Sequence, residues 1–390
     1  MLNLSFYLTV FLLSLGQLTS VYKSGESNVY LFDVSMLVFS FFGLIYFLLV
    51  KKSFKLPKFS LLFLLFTLVA FCSLIFSYQN FSFEEVITSS SYLVRWAAYL
   101  LGSIVVFNMI DKGLITRDKV LNTFVLSGVL LSILGLVQLL VLPDFNVLDL
   151  SLGWDPHKNR LASTFFDPNF TGAYLVICLI ILFDKLSFKR NVEKRELFML
   201  LIMLIALFLT FSRSAWGMSA IAILIYGFFR SKNLLIVSLV LFFLAYFAVP
   251  RIQTRLSGIT DPADSASLRL LSWKNTIEII KDNIFLGVGF NTFRYVQKDY
   301  GFLTPETLNI HSGSGSDSSL LLIWATTGVI GLFVFLMSMI FPAYESIVKK
   351  NSSKLIILSV VFGLLLESLF INSLFYPQIM FIYLSLLFIL

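Results

Sequence analysis

Charged side chains are scarce in this chain: 13% of its 390 residues, against 58% that are hydrophobic, where an ordinary soluble domain carries about 25% charged residues. So few charges cannot cover the surface of a water-soluble chain of this length, which excludes a string of two or three soluble domains. Cysteine is scarcer still. Cys72 and Cys178 both lie inside apolar stretches, so there is no disulfide framework and no thiolate set with metal spacing. The histidines form no cluster either, and no Walker-type phosphate loop, no Gly-X-Gly-X-X-Gly after a strand and no Asp-X-Asp pair occurs. Nucleotide-driven chemistry and an obligatory metal therefore lack support, and no cofactor is expected.

What is present is apolar length. Runs able to cross a hydrocarbon core of about 30 Å fall near residues 3–20, 30–50, 58–77, 86–109, 119–142, 169–184, 196–212, 214–229, 233–249, 318–341, 354–372 and 374–390. The 43 phenylalanines suit a lipid-facing surface. Met1 to Ser20 lacks the basic start of a secretory signal and reads as a retained first helix. The expected fold is an all-α integral membrane protein with about a dozen transmembrane helices: nine in 1–249, a long, partly helical extracytoplasmic loop in 250–317, and three more in 318–390.

The net charge of +7 might be taken for a nucleic-acid footprint, but its placement is topological. Lys51 to Lys58, Lys112 to Lys119, Lys185 to Arg195, Arg230 to Lys232 and Lys349 to Lys354 all follow even-numbered segments; the opposite loops, the long one aside, hold only Lys23, Lys158, Arg160 and Arg213. That asymmetry puts the even-numbered loops and both termini in the cytoplasm, and no nucleic acid is needed as partner. In the long loop, Leu268, Leu271, Ile277, Ile280 and Phe285 recur at helical spacing, with Asp264 or Ser265 as cap, and Gly301 to Ser319 is rich in Gly and Ser.

Several outer-side charges have both a plain and a chemical reading. Arg213 at a tight turn is by itself an interfacial, snorkelling arginine; with Arg160 and Arg269 on the same side, a shared anion site gains weight, since guanidinium pairs bidentately with phosphate. Arg269 and Trp273 lie one turn apart, either an interfacial cation with an anchoring indole or a phosphate clamp beside a sugar-stacking ring. Asp317 opens the tenth segment, as a cap or as a general base, and follows His311 through a Gly-Ser linker. Glu367, inside the eleventh segment toward the outer face with Asn372 and Tyr376 beyond it, is a functional candidate because ionisable groups at that depth are costly; Arg95 is its possible partner.

Four segments resemble the O-antigen ligase and polymerase family of membrane glycosyltransferases with a Wzy-C type core. They are Arg160-Leu-Ala-Ser-Thr-Phe-Phe-Asp167-Pro168-Asn169; Thr210-Phe-Ser212-Arg213-Ser214; Arg269 with Trp273 and then Asp282-Asn-Ile-Phe-Leu-Gly287-Val-Gly289; and Asp317-Ser318 running on to Gly328 and Gly331. The resemblance implies a GT-C-like helical fold in the bacterial cytoplasmic (inner) membrane, with the active site facing outside. It implies polyprenyl-diphosphate-linked glycans as donor and acceptor, membrane lipid around the chain, a chain-length regulator and a flippase as partners, and neither nucleotide nor metal. Arg213 and Arg269 map onto diphosphate-contacting arginines; Arg160, Asn169, Trp273, Gly287, Gly289, Ser318, Glu367 and Tyr376 are the accompanying substrate-binding candidates. Where the family's ligases carry a catalytic His, this chain has Asp317. Either Asp317 is the base, or His311 folds back, or the chain belongs to a branch without the ligase histidine, which favours a polymerase over a ligase that transfers glycan to lipid A core or protein. A transporter or flippase is the alternative of another class, disfavoured because charges gather at the outer face and no halves repeat.

Overall fold

The computed structural model describes residues 1–24, 27–148, 157–189, 191–258, 265–303 and 315–390. Among them the chain is a bundle of α-helices with one short antiparallel hairpin, β1 (Ser20–Ser24) and β2 (Ser27–Tyr30), between α1 (Leu2–Leu15) and α2 (Leu31–Ile45). There follow α3 (Ser60–Ser77), α4 (Phe83–Asp111), α5 (Arg117–Val141), α6 (Pro168–Ser187), α7 (Lys194–Leu209), α8 (Arg213–Phe229) and α9 (Lys232–Ala248). Three helices, α10 (Pro250–Ser257), α11 (Ser265–Asp282) and α12 (Phe293–Asp299), precede α13 (Ser319–Val348), α14 (Lys354–Glu367) and α15 (Pro377–Ile389).

Each of the twelve apolar runs is helical, yet among the described residues only seven helices are long and apolar enough to cross a membrane, or eight if α9 and α10, bent by 97° at Val249–Pro250, count as one span. Five helices fall short: α7, α8 and α9, with 16, 17 and 17 residues, and the still shorter α14 and α15, whose shortening has a visible origin. Their 14 and 13 residues make rods of about 20 Å at 1.5 Å per residue. The eleventh run was expected to continue to residue 372, but α14 stops at Glu367, and the turn from Ser368 to Tyr376 is held inside the bundle by the start of α13. Ser319 N–H donates to the Ser368 carbonyl at 2.8 Å, and the Ser319 hydroxyl donates to the Ile371 carbonyl at 3.0 Å. Irregular backbone so far from an end persists only where protein satisfies its polar groups.

Three helices, α6, α14 and α15, bury most of their residues and are central, whereas α9 buries none. The longest helix, α13, breaks at Gly328 (φ 68°). The backbone from Ile284 to Gly289 fills the break, with Val288 N–H to Ala325 O at 2.8 Å and Val329 N–H to Ile284 O at 2.8 Å, and Ser73 of α3 donates to both Leu286 O and Thr326 O. A Cβ on Gly328 would meet the Phe285 carbonyl oxygen at 1.9 Å, so no other residue fits.

The basic loops share one end of the bundle. Lys55 pairs with Asp111, Lys58 with Glu345 and Lys189 with Glu196; Arg117 reaches Ser353, and Arg230 caps the Ser187 carbonyl at 2.7 Å. Both termini sit there too, through Asn3 on the Leu114 carbonyl and Asn351 on the Leu390 carbonyl.

Two expectations need correction. Arg95 does not serve Glu367: it pairs with Asp33 at 2.9 Å and donates to the Asn28 carbonyl, tying α4 to α2 and the hairpin. In α11 the packed residues are Thr276, Ile279 and Ile280, while Leu268, Leu271 and Ile277 are exposed, as is Phe285 beyond its end.

Replacing Arg95 with Met leaves Asp33 uncompensated in the interior, so the melting transition in detergent should fall by the equivalent of about 3–5 kcal/mol. Adding Asp33→Leu should recover most of that loss; equal melting of Arg95→Met and the native chain would show the pair to be idle.

Candidate functional site

The end opposite the lysines is built by short polar devices. Asp167 caps α6, accepting from Asn169 N–H at 2.5 Å and Phe170 N–H at 3.1 Å, with Pro168 at the first helical position. Ser212 caps α8, which makes Arg213 its first residue. Between them, Phe211 adopts φ 47°, a conformation bulky side chains rarely take. The turn is worth its strain because it aims the Thr210 and Phe211 carbonyls at Arg160, whose Nε donates to Thr210 O at 2.9 Å and whose Nη2 donates to Asn169 Oδ1 at 3.3 Å. Asn169 Oδ1 also accepts from the Ser212 hydroxyl at 2.8 Å. Arg160, Asn169, Ser212 and Arg213, distant in sequence, are thus parts of one junction.

Two arginines that sequence reading passed over belong here. Arg251 and Arg255 stand one turn apart on α10. Arg251 donates to the Asn159 and Lys158 carbonyls at 2.5 and 2.6 Å and lies 4.3 Å over the Phe211 ring. The Arg255 carbonyl accepts from Arg213 Nη1 at 3.0 Å. The signal available was the Arg-X-X-X-Arg spacing directly after Pro250. His157 was likewise passed over; its Nε2 lies 3.9 Å from Asp167 Oδ2.

Arg269 completes the group from α11. Burial weakens its hold on its proton; Asp317 is the chief counter-charge, Arg213 acts against it, and Asp167 and Glu367 help. Burial likewise lowers Arg160, and Arg255 lowers it further. Guanidinium stays charged at ordinary pH, so these directions report cations short of negative charge. Asp167, despite burial, is held below the usual carboxylate range by His157, the Phe170 N–H and Arg160. Asp317 moves the other way, raised by burial against the pull of Arg269.

Of the two readings of Asp317, the cap goes to its neighbour: Ser318 caps α13, accepting from Leu321 N–H, and Asp317 lies one residue outside the helix. Its backbone is pinned to α11: Asp317 N–H donates to the Ser272 hydroxyl at 3.0 Å, and the Trp273 indole N–H donates to Asp317 O at 3.2 Å. Trp273 lies 5.7 Å from the Phe370 ring. Tyr376 stacks on Phe170 at 4.1 Å. Gly287 and Gly289 sit elsewhere, against Thr326, Thr327 and Ser77 at the break in α13. His311 lies outside the described residues.

Arg160, Arg213, Arg255 and Arg269 with Asp167, Asp317 and Glu367 therefore influence one another in a partly buried setting. Guanidinium groups gathered in this way suit a multiply charged anion such as a diphosphate. No group of His, Cys, Asp and Glu with metal-holding geometry occurs among the described residues. An apolar groove of about 700 Å³ opens between α3 and α4, lined by Leu64, Phe71, Ile75, Leu93 and Val94, and none of the arginines lines it.

Residues 198–336 match the family model described as O-antigen ligase, Wzy_C, which supports the O-antigen ligase/polymerase family for this chain. The match spans Arg213, Arg251, Arg255, Arg269 and Asp317; Arg160, Asp167 and Glu367 lie outside it. No curated protein matches the chain.

Replacing Arg213 or Arg269 by Lys should weaken binding of farnesyl diphosphate by about tenfold or more, because a point charge cannot reproduce the bidentate fork. Tryptophan fluorescence titration of the protein in nanodiscs reads this, and native affinity in both variants would make the arginines structural.

Proposed function

We propose, from that family match, that the chain is a membrane glycosyltransferase that polymerises polyprenyl-diphosphate-linked oligosaccharide units into a surface polysaccharide. The observation that carries it is the convergence of Arg160, Arg213, Arg255 and Arg269 at the bundle end opposite the lysines. Transfer is substitution at an anomeric carbon with lipid diphosphate leaving. Charge that grows on the leaving group is met by guanidinium already in place, which needs no reorganisation during the step. Arg213 and Arg269 contact the diphosphate in this reading, with Arg160 and Arg255 behind them. Trp273, Ser318, Asn169 and Tyr376 border the sugars.

The chain then crosses the bacterial cytoplasmic membrane with about twelve helices, the short ones included. The lysine end and both termini face the cytoplasm and the arginine site faces outside, with residues 250–317 as the outer loop. Donor and acceptor are both lipid-linked, and neither nucleotide nor metal enters. Asp317 in place of the ligases' His favours the polymerase. Transfer to lipid A core or protein, the ligase reading, has the wording of the matched family model on its side.

In a host lacking its own copy, the native gene should restore a ladder of long glycan chains on gels, and Arg269→Lys should not. Restoration of a single transferred unit in place of a ladder would make it a ligase. With Cys72 replaced by Ala, an impermeant thiol reagent on intact cells should label a Leu268→Cys variant and spare Lys189→Cys. The reverse pattern would invert the topology.

A further inference from the structure

If the chain transfers glycans as proposed, the attacking hydroxyl must give up a proton within the site. Glu367 is the last residue of α14 and is 0% exposed. Its Oε2 accepts from the hydroxyl of Ser373, whereas Oε1 is buried with no hydrogen-bond partner. A helix C-terminus disfavours negative charge, and a buried acceptor left unfilled is costly. On structural grounds a glutamine would serve better at this position. Buried polar atoms without partners are rare in folded proteins and call for an explanation.

Three observations point to a ligand as that explanation. The turn that follows Glu367 meets α11, with the Phe370 ring 5.7 Å from that of Trp273, one turn from Arg269. Asn372, in the turn joining α14 to α15, also holds a buried side-chain oxygen, Oδ1, without a partner. That turn is fixed to the start of α13 through Ser319, two residues from Asp317. Two unfilled acceptors, one at the end of α14 and one in the fixed turn after it, match a ligand rich in hydroxyl donors. Asp317 is differently placed: it is the chief counter-charge of Arg269 and is pinned by α11.

We propose that Glu367 Oε1 accepts the proton of the attacking sugar hydroxyl, that Asn372 Oδ1 receives a second hydroxyl of the same acceptor, and that Asp317 holds Arg269 in place. As the hydroxyl oxygen bonds to the anomeric carbon, its proton passes to Glu367. The bond from that carbon to the diphosphate oxygen breaks, its electron pair leaving with the lipid diphosphate. Glu367 is freed when the proton passes to the departing diphosphate or to water.

Three variants test this: Glu367→Gln, Glu367→Asp and Asp317→Asn, each measured for melting, for farnesyl diphosphate binding in nanodiscs, and for total glycan transferred in cells, chains and single units alike. Glu367→Gln should melt no lower than the native protein and bind the probe as well. Its transfer should nevertheless drop by about 100-fold or more, the usual contribution of a general base. Glu367→Asp should regain part of that loss, and Asp317→Asn should lose probe affinity and transfer together. The proposal is overturned if Glu367→Gln keeps transfer within about tenfold of native, a range too small for a base. It is equally overturned if that variant loses probe binding along with transfer, which would make Glu367 a support for the arginines. Single-unit transfer by the native chain would refute the polymerase reading while leaving the ranking of these variants intact.

Discussion

A guanidinium taken out of water must be met by oxygen on every side, and the far end of this bundle is organised around that requirement. Arg160 is met by the Thr210 carbonyl and the Asn169 amide, Arg251 by the Lys158 and Asn159 carbonyls, Arg213 by the Arg255 carbonyl. Most of these partners are neutral. Backbone oxygens fix direction without cancelling charge, so these contacts hold the guanidinium groups rigidly in place.

The supporting parts follow from that need. The left-handed Phe211 exists to turn two carbonyls toward Arg160. Asp167 satisfies the first turn of α6 with one oxygen and faces His157 with the other. Shortened α14 and α15 leave a turn below the end of the bundle, so Glu367 meets the group from beneath while α10 and α11 approach from the loops.

Much of the helical plan was legible in the sequence, because apolar runs and clustered lysines are local signals. All twelve runs are helical, and the lysine loops do share an end. Three of the site's arginines were also legible, Arg213 at its turn, Arg269 beside Trp273, and Arg160 ahead of Asp167-Pro168. Long-range geometry was not. Arg251 and Arg255 look like ordinary loop charges until α10 folds back onto residues 158–160. Arg95 resembled a partner for Glu367 because one-dimensional reading pairs isolated opposite charges; the nearer carboxylate, Asp33, sits behind a hairpin. The early stop of α14 was hidden because Ser368 to Tyr376 is still half apolar, and what ends the helix is competition from the serines at the start of α13.

The right-angled joint between α9 and α10 has a mechanical consequence. With no side chain of α9 buried, the helix is held on one side, where Leu235 fits against Gly227 of α8. Its continuation past Pro250 carries Arg251 and Arg255, one gripping residues 158–159 and the other Arg213. The pair works as a bell crank, converting a tilt of the outer arm into a sideways displacement of the inner one, so thinning or thickening of the surrounding bilayer would pull directly on the grip around Arg213.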